Sequence, residues 1–303
     1  MKREIKTARR EERVKKPMDG AKLALLLCIG AVAGLTLTRM LASAFALRGL
    51  AAVLMQAAGL LLFALLPAIL GLLSDADDRA QLVRFQALRP AQTGLYVLTG
   101  VLAVFPAALL GGVVDSLMGL SAAADAAELP SLSLFLPMLL CQALVAPVCE
   151  ELFFRGYLLG VWERRVKRGA ALAVSLLFAL AHGIGSMTPV FVLLGLMLTL
   201  LARRADSVLA PMLAHAGYNA ALVVLAFVGA DGLLSVRTLP SCAVLLLGCA
   251  AFAGVLRRAL ALRPGRNRAS LWDGKGLSRR EIALLAGAAL ALIVSQIVGG
   301  LLA

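Results

Sequence analysis

Six side chains, grouped in three short stretches, carry the groups in this chain best suited to chemistry. Glu150, Glu151 and Arg155 fall inside an otherwise apolar run that reaches back to Ser131. His182 and His215 are the only two histidines, and Asn219 follows His215 by one helical turn. All six lie in apolar segments. An ionisable group at bilayer depth costs about 2.5–3.5 kcal/mol on insertion scales, so its presence marks a functional site by default. On a helix, Glu151 and Arg155 at i and i+4 share a face and are expected to pair. That pairing neutralises one carboxylate and leaves Glu150, whose face continues through Phe154 and Tyr157, for another role. Phe178 with His182, and His215 with Asn219, repeat the i, i+4 spacing.

These residue types suit hydrolysis of a peptide bond. A carboxylate can take a proton from water in the transition state, so Glu150 with His182 is expected to position and deprotonate the attacking water. His215 and Asn219 are donors suited to the tetrahedral oxyanion. A divalent metal, zinc above all, is the alternative use of the same groups, because one carboxylate and two imidazoles with an open position form a common catalytic zinc set. Its ligands would be Glu150, His182 and His215, although the HExxH spacing is absent.

The elements that must hold these groups are membrane helices. The chain of 303 residues is 61% hydrophobic with mean hydropathy +0.92, and only 16% of it is charged. Soluble domains are about a quarter charged. Aromatics at 5%, and long Ala, Leu and Val runs, argue against a membrane barrel with aromatic girdles. In lipid the remaining solution is helical, since every backbone polar group must be satisfied within the segment. The expected fold is all-α, a polytopic transmembrane bundle of eight or nine helices. Expected spans run over 23–38, 49–73, 94–114, 131–160, 170–184, 190–201, 208–228, 239–256 and 281–302. The fifth and sixth are short enough to form one re-entrant unit. Ser278 with Glu281 gives the last helix a capping-box signature. Counted along the helices at ~1.5 Å per residue, Glu150, His182, His215 and Asn219 fall in one band between the inner interface and the midplane.

The division is a basic tail over 1–22 and a membrane domain over 23–302, with the chemistry in about 131–230. Placing the N-terminus in the cytosol puts 9, 3, 4, 2 and 8 of the 30 Lys and Arg on the segments 1–22, 74–92, 161–169, 202–207 and 257–280. Three, Arg39, Arg48 and Arg237, fall outside. This is the asymmetry of the positive-inside rule. It accounts for the net charge of +13 by cytosolic loops near the lipid bilayer, without nucleic acid. Arg39 is expected to snorkel at the outer end of the first helix, and Gln56 and Asp115 to be interfacial or packing residues. Gly156 and Gly217 are expected to let helices approach closely. The five cysteines lie in apolar segments without a CxxC pair, which reads as packing.

Three motifs carry a resemblance. Glu-Glu-Leu-Phe-Phe-Arg (150–155), Phe-Ala-Leu-Ala-His (178–182) and His-Ala-Gly-Tyr-Asn (215–219) resemble EExxxR, FxxxH and HxxxN of the CPBP family. These are the CAAX-protease and bacteriocin-processing membrane proteins, also called Abi. The resemblance implies an intramembrane endopeptidase, a metalloprotease in one description of the family, acting on a membrane-associated protein or peptide. It implies the first Glu as base, assisted by both His and the Asn. The Ala- and Leu-rich composition looks prokaryotic, where prenylated CAAX substrates are not expected. Two other functions compete: a scaffold or bacteriocin-immunity partner that keeps the fold without turnover, and a proton or ion pathway built on the same buried groups. The chain shows no paired broken helices in two halves, the usual mark of a transporter site.

Overall fold

A computed structural model describes residues 20–74, 82–118, 131–165, 169–229, 234, 236 and 238–262. Residues 1–19 of the basic tail, the basic linker from 263 and the helix expected over 281–302 lie outside the described residues. Those that are described form eight helices and no strand. They are α1 (Gly20–Ala44), α2 (Gly49–Ser74), α3 (Pro90–Leu117), α4 (Leu132–Arg164), α5 (Ala170–His182), α6 (Thr188–Ala205), α7 (Leu209–Val228) and α8 (Leu239–Ala261). All but α5 are long and apolar enough to cross a membrane, as expected of a multi-pass membrane protein. At 13 residues, α5 spans only ~20 Å.

Local chemistry sets the ends. Pro90 starts α3, where its missing N–H costs nothing, and Gln92 Oε1 accepts from the Arg89 N–H at 2.9 Å. Thr238 caps α8 by accepting from Ser241 N, and Pro240 lies in its first turn. Gly229, left-handed at φ +63°, stops α7. One end differs from expectation. No breaker follows Thr38, so α1 continues through Arg39 to Ala44. Long helices also carry wide turns with i→i+5 bonding, at Leu61–Leu65 in α2 and at Cys141–Val145 and Leu152–Leu158 in α4. Such turns shift the helical phase and often occur at functional sites. The second one in α4 starts immediately after Glu151.

The centre of the bundle is α4, which touches α1, α2, α5 and α7. The most extensive helix pair is α3 with α7. Two glycines make that crossing: a Cβ on Gly100 would stand 1.7 Å from the Ala214 carbonyl oxygen, and one on Gly217 would stand 2.4 Å from the Val97 carbonyl oxygen. Small residues permit this backbone approach in a membrane, where packing drives helix association. The crossing holds the His215–Asn219 turn at a fixed height. Gly156, by contrast, has no neighbour closer than 3.7 Å to such a Cβ, so close approach does not explain it.

At one end of the bundle, charges expected to face lipid headgroups are buried or partly buried against one another instead. Arg84, on the α2–α3 connection, pairs with Glu163 of α4, as does Arg203 of α6 at 2.5 Å. Gln86 donates to Asp206 at 3.2 Å, and Ser207 Oγ donates to the Gln86 carbonyl at 2.8 Å. Glu163 is 3% exposed and Arg84 8%. Three segments distant in sequence are thereby pinned together.

Replacing Gly100 by Val should overpack the α3–α7 crossing at a cost of about 1–3 kcal/mol. Thermal unfolding in detergent should show a lowered midpoint. Gly94→Ala, on the same helix with open space around it, should leave the midpoint unchanged or slightly raised.

Candidate active site

Two carboxylates adjacent in sequence end in different surroundings. Glu151 is fully buried. Its Oε1 accepts from Arg155 Nη1 at 2.8 Å and from His215 Nδ1 at 2.8 Å. Arg155 also donates through Nη2 to the Gly195 carbonyl at 3.0 Å and through Nε to Thr199 Oγ1 at 3.5 Å. The guanidinium thus ties α4 to α6, and the carboxylate ties α4 to α7. The Glu151–Arg155 pair is the one the spacing predicts. The His215 contact is not visible in the sequence, because it depends on which helix α7 packs against. Gly195 is where α6 meets α5, with a would-be Cβ 3.1 Å from Ser175.

Glu150 lines cavities. Its Oε2 has no hydrogen-bond partner among the described residues and lies 3.6 Å from His182 Nε2. The other ring nitrogen of His182, Nδ1, donates to the Phe178 carbonyl at 2.8 Å, leaving Nε2 as an acceptor in the neutral ring. The Phe178–His182 spacing therefore matters through a backbone carbonyl as well as through the ring. Two chambers meet at Glu150, His182 and Gln56. One, of about 390 Å³, lies among α1, α2, α4 and α5 and includes Arg39. The other, of about 410 Å³, lies toward α3, α6 and α7 and includes His215 and Asn219. Glu151 and Arg155 line neither chamber. Asn219 donates through Nδ2 to the Gln142 carbonyl at 2.8 Å, in the first wide turn of α4. One of its two amide N–H groups is thereby committed, and Asn219 does not touch Glu150 directly.

Phe178 joins the whole set. Its ring centroid is 4.4 Å from that of His182 and 5.8 Å from that of His215, and the Arg155 guanidinium carbon stands 4.4 Å from it. Aromatic contacts of this kind are worth about 0.5–1.5 kcal/mol beyond area burial. Phe191 of α6 also stacks on His182, at 4.5 Å. The sequence does not single out Phe191, since an apolar aromatic in an apolar helix carries no signal. Gln56 lines both chambers and Arg39 the first, a placement that the interfacial or packing roles expected of them did not include.

The alternative use of Glu150, His182 and His215, as ligands to a divalent metal, meets a mixed fit. Each imidazole is anchored through Nδ1 by an oxygen acceptor, as metal-binding histidines usually are. Convergence is missing: among the described residues, no three His, Cys, Asp or Glu side chains come together to hold an ion. The donor set does not fit a metal in this arrangement.

Helices α4 to α7 thus carry a buried, hydrogen-bonded polar site inside a membrane bundle. Residues 132–221 match the family described as Rce1-like, type II CAAX prenyl endopeptidase. This is consistent with the CPBP family that the three motifs point to, and at the family level it supports a CAAX-protease-like intramembrane endopeptidase. No curated protein and no solved structure matches the chain.

Removing Arg155 leaves a buried carboxylate short of its charge partner, which costs about 3–5 kcal/mol. Arg155→Met should lower the unfolding midpoint strongly. Arg155→Lys should recover little of the loss, because an ammonium cannot reproduce a planar fork reaching Glu151, Gly195 and Thr199 together. Thermal unfolding of both purified variants checks this.

Proposed function

We propose that this protein is an intramembrane endopeptidase in which Glu150 is the general base. The observation that carries the reading is the unequal environment of the two carboxylates. Glu151 is bound through Oε1 to Arg155 and His215 and lines neither chamber, while Glu150 has no such charge partner bonded to it and lines both chambers at their waist. The family match over 132–221 supports the same reading.

The chemistry follows from the donors and acceptors. A water near the waist donates one hydrogen to Glu150 Oε2 and the other to His182 Nε2. Its lone pair then points toward a substrate carbonyl. Glu150 takes a proton as the oxygen–carbon bond forms, and later returns it to the departing amine. Asn219, with one N–H left after its bond to Gln142, donates to the oxyanion. His215, held through Nδ1 by Glu151, lines the same chamber as Asn219 and shapes the place of that oxygen. Arg155 and Phe178 touch no reacting atom. They position His215 and His182. The substrate is a membrane-associated protein or peptide that reaches the waist as an extended segment, because a helix offers no accessible carbonyl.

Comparing membrane-proteome termini between cells expressing wild type and Glu150→Gln tests the reading. New termini should appear only with wild type. For an isolated substrate found this way, Glu150→Gln should reduce cleavage by about 10²–10⁴-fold, the usual contribution of a general base. Equal termini with equal expression would point to the scaffold instead. Cleavage of that substrate should survive a strong zinc chelator, because the donors do not converge on a metal. Loss of cleavage that added zinc restores would overturn the water-only chemistry.

A further inference from the structure

Arg39 is the unexpected charge in the site. Near the end of a membrane helix an arginine normally extends toward the headgroups. Here the guanidinium turns into the bundle. Nη1 donates to the Ala181 carbonyl at 3.0 Å and Nη2 to Thr36 Oγ1 at 3.3 Å. Ala181 immediately precedes His182, so part of this arrangement caps the last turn of α5. Capping alone needs one N–H. Arginine has five, and among the described residues these two bonds engage only two of them. The residue is exposed overall and lines the chamber of about 390 Å³, whose lining also includes Glu150 and His182. The rest of that lining is chiefly apolar: Leu35, Ala42, Met55 and Phe154 among others. No carboxylate other than Glu150 lines the chamber.

We propose that this chamber is a carboxylate-binding subsite, with Arg39 holding a carboxylate of the bound peptide at the α1 side. The proposal rests on the peptidase reading for its meaning, but not for its measurement. A planar guanidinium with unused N–H donors is matched to a carboxylate, and charge-assisted bonds in a low-dielectric chamber are strong. Glu150 repels a second carboxylate, so the anion is held away from the waist. The peptide between them then runs from Arg39 toward Glu150 and His182, with its apolar side chains against Leu35, Met55 and Phe154. The portion on the other side of the cut occupies the chamber lined by Asn219 and Tyr218. The carboxylate is supplied either by a chain terminus or by an Asp or Glu side chain. In both cases Arg39 selects which substrates are seated and in which direction.

The test measures binding, with the full chain in lipid nanodiscs and three fluorescent apolar peptides of the same Leu and Ala sequence. One ends in a free carboxylate, one in a carboxamide, and one in a carboxamide with a single Asp inserted. Wild type should bind at least one carboxylate-bearing peptide about tenfold more tightly than the carboxamide. The arm that shows the gain identifies a terminal or a side-chain carboxylate. Arg39→Lys should keep part of the preference and Arg39→Met should abolish it. Equal affinity of wild type for all three, no binding of any, or a preference that survives Arg39→Met overturns the subsite. Should Arg39→Met fail to fold, the three-peptide comparison on wild type still decides. Glu150→Gln should retain the preference or strengthen it, because it removes the one negative charge that faces the bound carboxylate and leaves Arg39 in place. A preference retained there, with no proteome terminus depending on Glu150, keeps the subsite and rejects the peptidase. Glu150-dependent termini without any preference reject the subsite alone.

Discussion

A charge in a medium that cannot solvate it must find a partner, and the rest of this bundle is arranged around that constraint. Glu151 and Arg155 are both closed off from solvent and lie one turn apart on α4. Neither is satisfied by the other alone. Arg155 goes on to the backbone and side chain of α6, and Glu151 goes on to His215 of α7. A pair that began as local spacing thus becomes a joint among three helices. Pairs of this kind add little net stability compared with apolar packing, yet breaking one is costly. Their effect is to penalise alternative arrangements of α4, α6 and α7.

That joint is what separates two chemically identical neighbours. With Glu151 committed, Glu150 projects from the same helix toward the cavities, where its Oε2 meets the ring of His182 but no donor within hydrogen-bond distance. The wide turn at Leu152–Leu158 begins between these carboxylates and the arginine, so the local phase departs from the regular 100° step. His182 is clamped by the Phe178 carbonyl and by the rings of Phe178 and Phe191. Rigid placement of this sort matters more to a hydrolytic site than any single contact, since productive geometry is lost with a displacement of about 1 Å.

Much of this was legible in the residue pattern. Long apolar runs and scarce charges require helices in lipid, and the charged residues that interrupt them at i, i+4 spacing mark one face each. The start of α2 at Gly49, the start of α5 at Ala170 and the end of α7 at Val228 fall where the apolar runs place them. Less visible was the continuation of α1 past Arg39, because a polar residue that turns inward looks the same in sequence as one that turns outward. Arg84 and Arg203 were read as headgroup-facing charges for the same reason. Arg84 is buried and Arg203 partly buried because Glu163 lies opposite them.

The sequence by itself determined the helical class, the membrane setting and the Glu151–Arg155 pair, and it singled out six polar groups as candidates. Each of these follows from local periodicity or from the cost of a charge in lipid, and neither needs knowledge of distant contacts. Only the tertiary structure decided that His215 belongs to Glu151, that Asn219 reaches the Gln142 carbonyl, and that Gln56 lines both chambers with Glu150 and Arg39 one of them. These are contacts between helices far apart in the chain. Their selection rests on which small residues let which backbones meet, as Gly100 and Gly217 do for α3 and α7. Spacing along one helix carries no record of that choice.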